Sequence, residues 1–204
     1  MAFPQGFNFR STLGFVTDVS PSEFWSTAAY PKTTASGNSA GWIVTSGNVA
    51  NRSATNDARL AGIAYVTAGG TQNKFQILLP SAGSYNIRIA LGDAGGSNQQ
   101  SCTILDNTTL LATIATNVTT ATQHFLDATG VDRTNTTWPG SNALLNLTFA
   151  STFCVVTVGV PSGNSTTLAH FYIESAAAPA RLKAIGSSGG FGGGIGTLAA
   201  GSAA

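Results

Sequence analysis

Hydrophobic residues fall at every second position over much of this chain. In residues 74–80, Phe75, Ile77 and Leu79 share one face of an extended segment. A few residues on, Tyr85, Ile87, Ile89 and Leu91 alternate with Asn86, Arg88 and Ala90. A period of two buries one face of a strand and leaves the other wet. Ser81, Ala82, Gly83 and Ser84 supply a turn between the two runs, so together they predict a β-hairpin. Similar runs at residues 7–10, 14–17, 41–45, 59–67, 101–105, 110–116, 124–127, 143–150, 153–160 and 168–174 predict further strands. Their β-branched and aromatic content suits a pleated, half-buried surface. Turn signals between them are Asp106-Asn107, Ala94-Gly95-Gly96 and Pro161-Ser162-Gly163. Short strands separated by such turns, with no long amphipathic helix, predict an all-β antiparallel sandwich or jelly roll. One helical turn is expected near residues 22–27, capped by Ser20 or Ser22. The core prediction is Phe75, Ile77, Leu79, Tyr85, Ile87, Ile89, Val156 and Val158.

The strand pattern stops near Ala176, which divides the chain into a sandwich over residues 1–175 and an Ala/Gly/Ser-rich arm over 176–204. Of the nineteen residues from Gly186 to Ala204, eight are glycine and none is charged. Such a segment builds no core of its own. It reads either as a flexible tail or as an extended arm in which Phe191, Ile195 and Leu198 anchor the protein to another subunit.

Charge sharpens this picture. The 204 residues are 43% hydrophobic but only 8% charged, with a net charge of +1. Typical soluble domains carry about 25% charged residues. No basic field exists for nucleic acid. The polar surface must come from Ser, Thr, Asn, Gln and Gly, a composition that suits virion or extracellular proteins. The first six residues lack the basic and apolar regions of a secretory signal. Expected from this is either a signal already removed or cytosolic synthesis with another exit, such as release of a phage particle by lysis. The most apolar stretch, residues 153–160, is far short of the ~18 residues of a membrane span. Cys102 and Cys154 lie in apolar strand-like runs and match no zinc spacing. They read as buried free thiols, with a disulfide as the other option.

Several local motifs occur in a suggestive order. Phe7-Asn8-Phe9 is followed by Gly14-Phe15-Val16, Gly41-Trp42 and Arg59-Leu60-Ala61-Gly62. Next comes the strand from Phe75 to Leu79-Pro80, then Gly83-Ser84-Tyr85 and the alternating strand that ends in Gly92-Asp93. Over residues 5–175 this order resembles the galactose-binding-domain-like β-sandwiches, a group that includes malectin-like and other carbohydrate-binding modules. The resemblance implies a sugar site built on loop aromatics, for which Trp25, Tyr30, Trp42, Tyr65 and Trp138 are the candidates. Trp138, Trp42 and Tyr65 head that set. Core packing is the other reading for Trp42 and Tyr65, because both sit inside strand patterns. The resemblance also raises a structural calcium ion. Asp18, Asp93 and Asp106 are the nearest candidates, but no dense carboxylate loop surrounds them and no metal is assigned.

Catalytic signatures are not evident. His124 and His170 fall in apolar strand-like segments, where a satisfied structural role is the ordinary one. No Gly-x-Ser-x-Gly elbow occurs, and Ala94 stands after Asp93 where an esterase of the neighbouring family would carry serine. Expected, then, is a non-enzymatic virion structural protein, a capsid decoration or cement subunit or a tail-associated one. No catalytic residue and no cofactor is assigned. The expected partners are other virion subunits and further copies of the chain, with a surface glycan as an additional ligand, and neither nucleic acid nor membrane. The alternative is a secreted carbohydrate-binding module or an accessory domain of a polysaccharide-degrading enzyme.

Overall fold

The fold is taken from a computed structural model that describes residues 5–9, 22–24, 29–34, 37–44, 49–51, 62–66, 71–93, 102–114, 124–126, 132–133, 144–159 and 166–176. The described residues contain fifteen strands and no helix. In chain order they are β1 (Gln5–Asn8), β2 (Ser22–Phe24), β3 (Lys32–Thr33), β4 (Ser39–Val44), β5 (Val49–Asn51), β6 (Gly62–Val66), β7 (Asn73–Leu78) and β8 (Gly83–Asp93). There follow β9 (Cys102–Asp106), β10 (Thr109–Ile114), β11 (His124–Leu126), β12 (Asp132–Arg133), β13 (Leu145–Phe149), β14 (Phe153–Val158) and β15 (Thr166–Ser175).

Two sheets form. The larger has nine strands along the path β12-β11-β8-β15-β1-β2, with β13 beside β8, β6 beside β15 and β5 beside β6. The smaller has six, in the order β10-β9-β14-β7-β4-β3. Strand pairing is antiparallel except for β1 with β2, which run parallel. One apolar core draws on both sheets, from Phe75, Ile77 and Val156 on the smaller to Ile87, Ile89 and Phe171 on the larger. This is an all-β sandwich, as the period-two pattern requires.

Register follows the alternation. Phe75, Ile77, Leu79, Tyr85, Ile87, Ile89, Val156 and Val158 are all buried, while Lys74, Gln76 and Arg88 are only partly so. A slip of one residue would have exchanged those sets. At one end of the core Phe75 is the hub of an aromatic group. Its ring meets Phe7, Phe9 and Trp42 edge-on, with centroids 5.0, 5.2 and 5.0 Å away. Edge-to-face pairs add roughly 0.5–1.5 kcal/mol each beyond simple burial. Gly41, next to Trp42, has φ +149°, and a Cβ there would come within 2.6 Å of the Tyr30 backbone nitrogen. Glycine lets the Ala29–Tyr30 segment pass close enough for the Tyr30 amide to donate to the Trp42 carbonyl at 3.0 Å.

The structure departs from the sequence pattern in three places. The runs at residues 74–80 and 85–91 form strands but not the expected hairpin: β7 pairs with β14 and β4 in the smaller sheet and β8 with β15, β11 and β13 in the larger, so the turn between them crosses from one sheet to the other and the two apolar faces meet across the core. Ser22–Phe24 is a strand and not a helical turn, because its backbone pairs with Gly6, Phe7 and Asn8 of β1. Tertiary pairing overrides a local capping signal here. The strands β3, β5 and β12 have two or three residues each, too few to show a period. The expected strand at residues 14–17 and the arm beyond Ala176 lie outside the described residues.

Candidate functional site

The core occupies the space between the sheets, so any ligand or partner of the sheets themselves must meet an outer face or an edge. The two outer faces differ in chemistry. On the smaller sheet a row runs across four strands, Leu110–Leu105–Val155–Gln76, set by the registers of β10, β9, β14 and β7. Phe153 and Leu78 are paired in the next row of that face. None of these six belongs to the core cluster. Val155 is nonetheless buried, whereas Leu105, Phe153 and Leu78 are half-exposed and Leu110 is 58% exposed. Beyond them Thr103 and Thr157 join through their hydroxyls, and the Thr103 amide donates to Thr157 Oγ1 at 3.1 Å. The face is apolar at the β10 side and polar further along β9 and β14, where the Thr103–Thr157 row continues to Lys74 of β7.

On the larger sheet the outer face is polar where β8, β13 and the end of β15 lie side by side. Arg88 of β8 stands opposite Tyr172 of β15, with its guanidinium carbon 5.8 Å from the centre of the Tyr172 ring. The Tyr172 hydroxyl donates to Glu174 Oε2 at 2.7 Å. Burial pushes the Tyr172 phenol well above its usual range, helped by the hydrogen bond to Glu174 and that carboxylate's charge, and opposed by Arg88. Asn146 Nδ2 donates to Asn86 Oδ1 at 2.9 Å, and the Ser84 and Thr148 hydroxyls bond at 2.9 Å. These residues form a ladder of amides and hydroxyls along β8 and β13, beside a tyrosine ring that touches one guanidinium and one carboxylate. Such a set can donate to and accept from a polyhydroxylated ligand.

The structure separates the aromatic candidates. Trp42 is 3% exposed, with its ring against Phe9 and Phe75, so its core reading is the one the packing gives; a ring so enclosed has no face for a sugar. Tyr65 is half-buried on the outer face of the larger sheet, packed against a small cluster of Ile63, Ala90 and Ala169. Tyr30 is half-buried and precedes a cis peptide bond to Pro31. Trp25 and Trp138 lie outside the described residues, as do Phe191, Ile195 and Leu198. Arg88, Tyr172 and Glu174 had not been singled out. Their only signal in the sequence is that they occupy the wet positions of two alternating strands, which is also where inert surface residues go.

Other groups able to do chemistry have structural surroundings. Cys102 and Cys154 are free and buried, and burial pushes both thiols far above the usual range. His170 is buried opposite Ala90 and Asn8. Asp106 accepts the Ala150 amide at 2.7 Å and the Ser151 amide at 3.1 Å, and it also accepts the Ser151 hydroxyl. Burial pushes its carboxyl upward, but those three donors outweigh burial and hold it below the usual carboxylate range. Its oxygens are thus engaged by the protein rather than arrayed for a cation. Among the described residues no three His, Cys, Asp or Glu side chains gather as metal ligands.

Compared with models of known protein families and with curated proteins, the chain matches none.

Proposed function

We propose that this protein is a non-catalytic structural protein of a virus particle, a capsid decoration or tail-associated subunit, built on a sandwich of the galactose-binding-domain type. It works through contacts with other subunits, including copies of itself. The observation that carries this reading is the apolar outer face of the smaller sheet, where Leu110, Leu105, Phe153 and Leu78 stand outside the core. Exposed apolar patches on soluble proteins mark interaction sites. The low charge of the whole chain and the uncharged arm with Phe191, Ile195 and Leu198 support the same reading. The test is density-gradient sedimentation of particles from a producing culture, followed by a wash at high salt. The protein should travel with the particles and stay on them. Recovery only in the soluble fraction would sink the reading.

A second reading rests on the polar ladder of the larger sheet. Tyr172, Arg88, Glu174, Asn86 and Asn146 supply an aromatic ring with donors and acceptors around it, the chemistry of a weak glycan site on a particle surface. Binding to a glycan panel should weaken in Tyr172→Ala and Asn86→Ala variants that keep the wild-type circular dichroism spectrum. A panel bound equally by wild type and both variants removes this reading and leaves the first untouched.

A further inference from the structure

The strand β10 ends its sheet: in the order β10-β9-β14-β7-β4-β3 it has a neighbour on one side only, among the described residues. An edge strand carries unpaired N–H and C=O groups and is a template for another strand. Proteins usually blunt such edges with Lys, Pro or inward-pointing charges. β10 reads Thr-Leu-Leu-Ala-Thr-Ile and has none of these. Its one irregularity is a bulge between Leu110 and Ala112. Leu110 closes the apolar row of the outer face, while Leu111, Ala112 and Ile114 line the core side. An added strand at this edge would therefore extend two apolar surfaces at once.

The chain contains a segment of matching chemistry. Beyond Ala176, where the described residues end, 28 further residues run to Ala204. The last nineteen are uncharged, and their glycines allow close backbone approach. In an extended strand, residues of equal parity share a face. Phe191 and Ile195 then fall on one face and Leu198 on the other. This matches an edge that is apolar on both sides. A six-residue strand such as β10 is also close in length to the span from Phe191 to Leu198.

We propose that the free edge of β10 accepts residues 186–204 of a second copy of this chain as an added strand. One of Phe191 and Ile195 then continues the row that ends at Leu110, the other lies further along the same face, and Leu198 lies on the side of Ala112 and Ile114. Main-chain hydrogen bonds supply the affinity, and the alternating side chains supply the register. The proposal rests on the assembly reading above and names the surface and segment through which copies join.

The test uses the full chain. Self-association is measured by sedimentation equilibrium for wild type, Leu110→Lys, Phe191→Ser/Ile195→Ser and the combination. Amide hydrogen exchange over residues 109–113 is followed at low and high protein concentration. Leu110 is exposed, so lysine there leaves the core intact. Each variant should weaken association about tenfold or more, the combination no further than either alone, and exchange over 109–113 should slow as concentration rises. A synthetic peptide of residues 186–204 should dissociate the wild-type assembly. If wild type associates but Leu110→Lys does so equally well, the edge assignment is overturned and the assembly reading stands. Concentration-independent protection of 109–113 in a monomeric chain would mean that the arm lies on its own edge, which also overturns the proposal. A wild-type chain that stays monomeric, is unprotected at 109–113 and is absent from particles overturns both.

Discussion

Asp106 and Ser151 fasten the end of β9 to the turn that carries the chain from the larger sheet to the smaller. The Ser151 amide donates to Asp106 Oδ1 at 3.1 Å and its hydroxyl donates to the same oxygen, while the Ala150 amide donates to Oδ2 at 2.7 Å. Ser151 Oγ in turn accepts the Phe153 amide at 3.1 Å as β14 begins. Asp106→Asn puts an amide nitrogen where one acceptor stood. It should cost about 1–3 kcal/mol, the usual effect of leaving a shielded donor unsatisfied. Urea denaturation at pH 7 measures this, and Ser151→Ala should show a smaller loss.

The same contact sets a sign for acid stability. Because the folded Asp106 carboxyl titrates below its ordinary range, the unfolded chain takes up the proton more readily. The contribution is complete above the unfolded pKa of about 3.9 and is lost as pH falls through the lower folded value. Denaturation midpoints of wild type and Asp106→Asn should therefore converge as pH falls from about 5 into strong acid, below the ordinary carboxylate range. A gap that stays constant over that range would contradict the assignment.

Tyr172 gives the opposite window. Its phenol titrates above the usual tyrosine range, through burial and the bond to Glu174, with Arg88 working against the shift. Stability from this arrangement is complete below the unfolded pKa of about 10 and is lost as pH rises toward the folded value. The ultraviolet phenolate titration should show a late-ionising component in wild type that is missing in Tyr172→Phe. An unchanged alkaline titration in that variant would remove Tyr172 from the set.

Cys102 and Cys154 should resist thiol reagents in the folded protein. Cys154 of β14 is aligned with Asp106 of β9, so Cys102 lies four positions away along the neighbouring strand. That offset is about 13 Å of strand, whereas a disulfide needs Cα atoms within roughly 7 Å. Buried thiols with raised pKa values form little thiolate. Expected are no labelling in the native state, two labelled thiols after unfolding, and a mass that shows no loss of two hydrogens.

How much of this was legible in the sequence depends on strand length and on what lies next door. The strands β7, β8 and β14 declared themselves, because six or more residues at period two leave one register, but the pairing did not: the turn between β7 and β8 suggests a hairpin, whereas the two strands lie in opposite sheets with their apolar faces meeting across the core. β2, β3 and β12 did not declare themselves, since two or three residues carry no period. Trp42 was ambiguous for a different reason. A tryptophan after glycine suits a sugar platform and a core equally, and only the arrival of Phe9 and Phe75 from other strands encloses it. The polar ladder was hidden in plain view, because Asn86, Arg88, Tyr172 and Glu174 become a group only when β8 and β15 are laid side by side.

The central claim is association through an uncharged surface, and salt tests it most directly. Contacts made by Leu110, Leu105, Phe153 and the uncharged arm involve no ion pairs, so screening has little to act on. Sedimentation equilibrium of the full chain in 50 mM and in 1 M sodium chloride should give association constants that differ by less than about twofold, or that rise slightly with salt. A steep fall in association with salt, or a chain that remains monomeric at every concentration, would contradict the account.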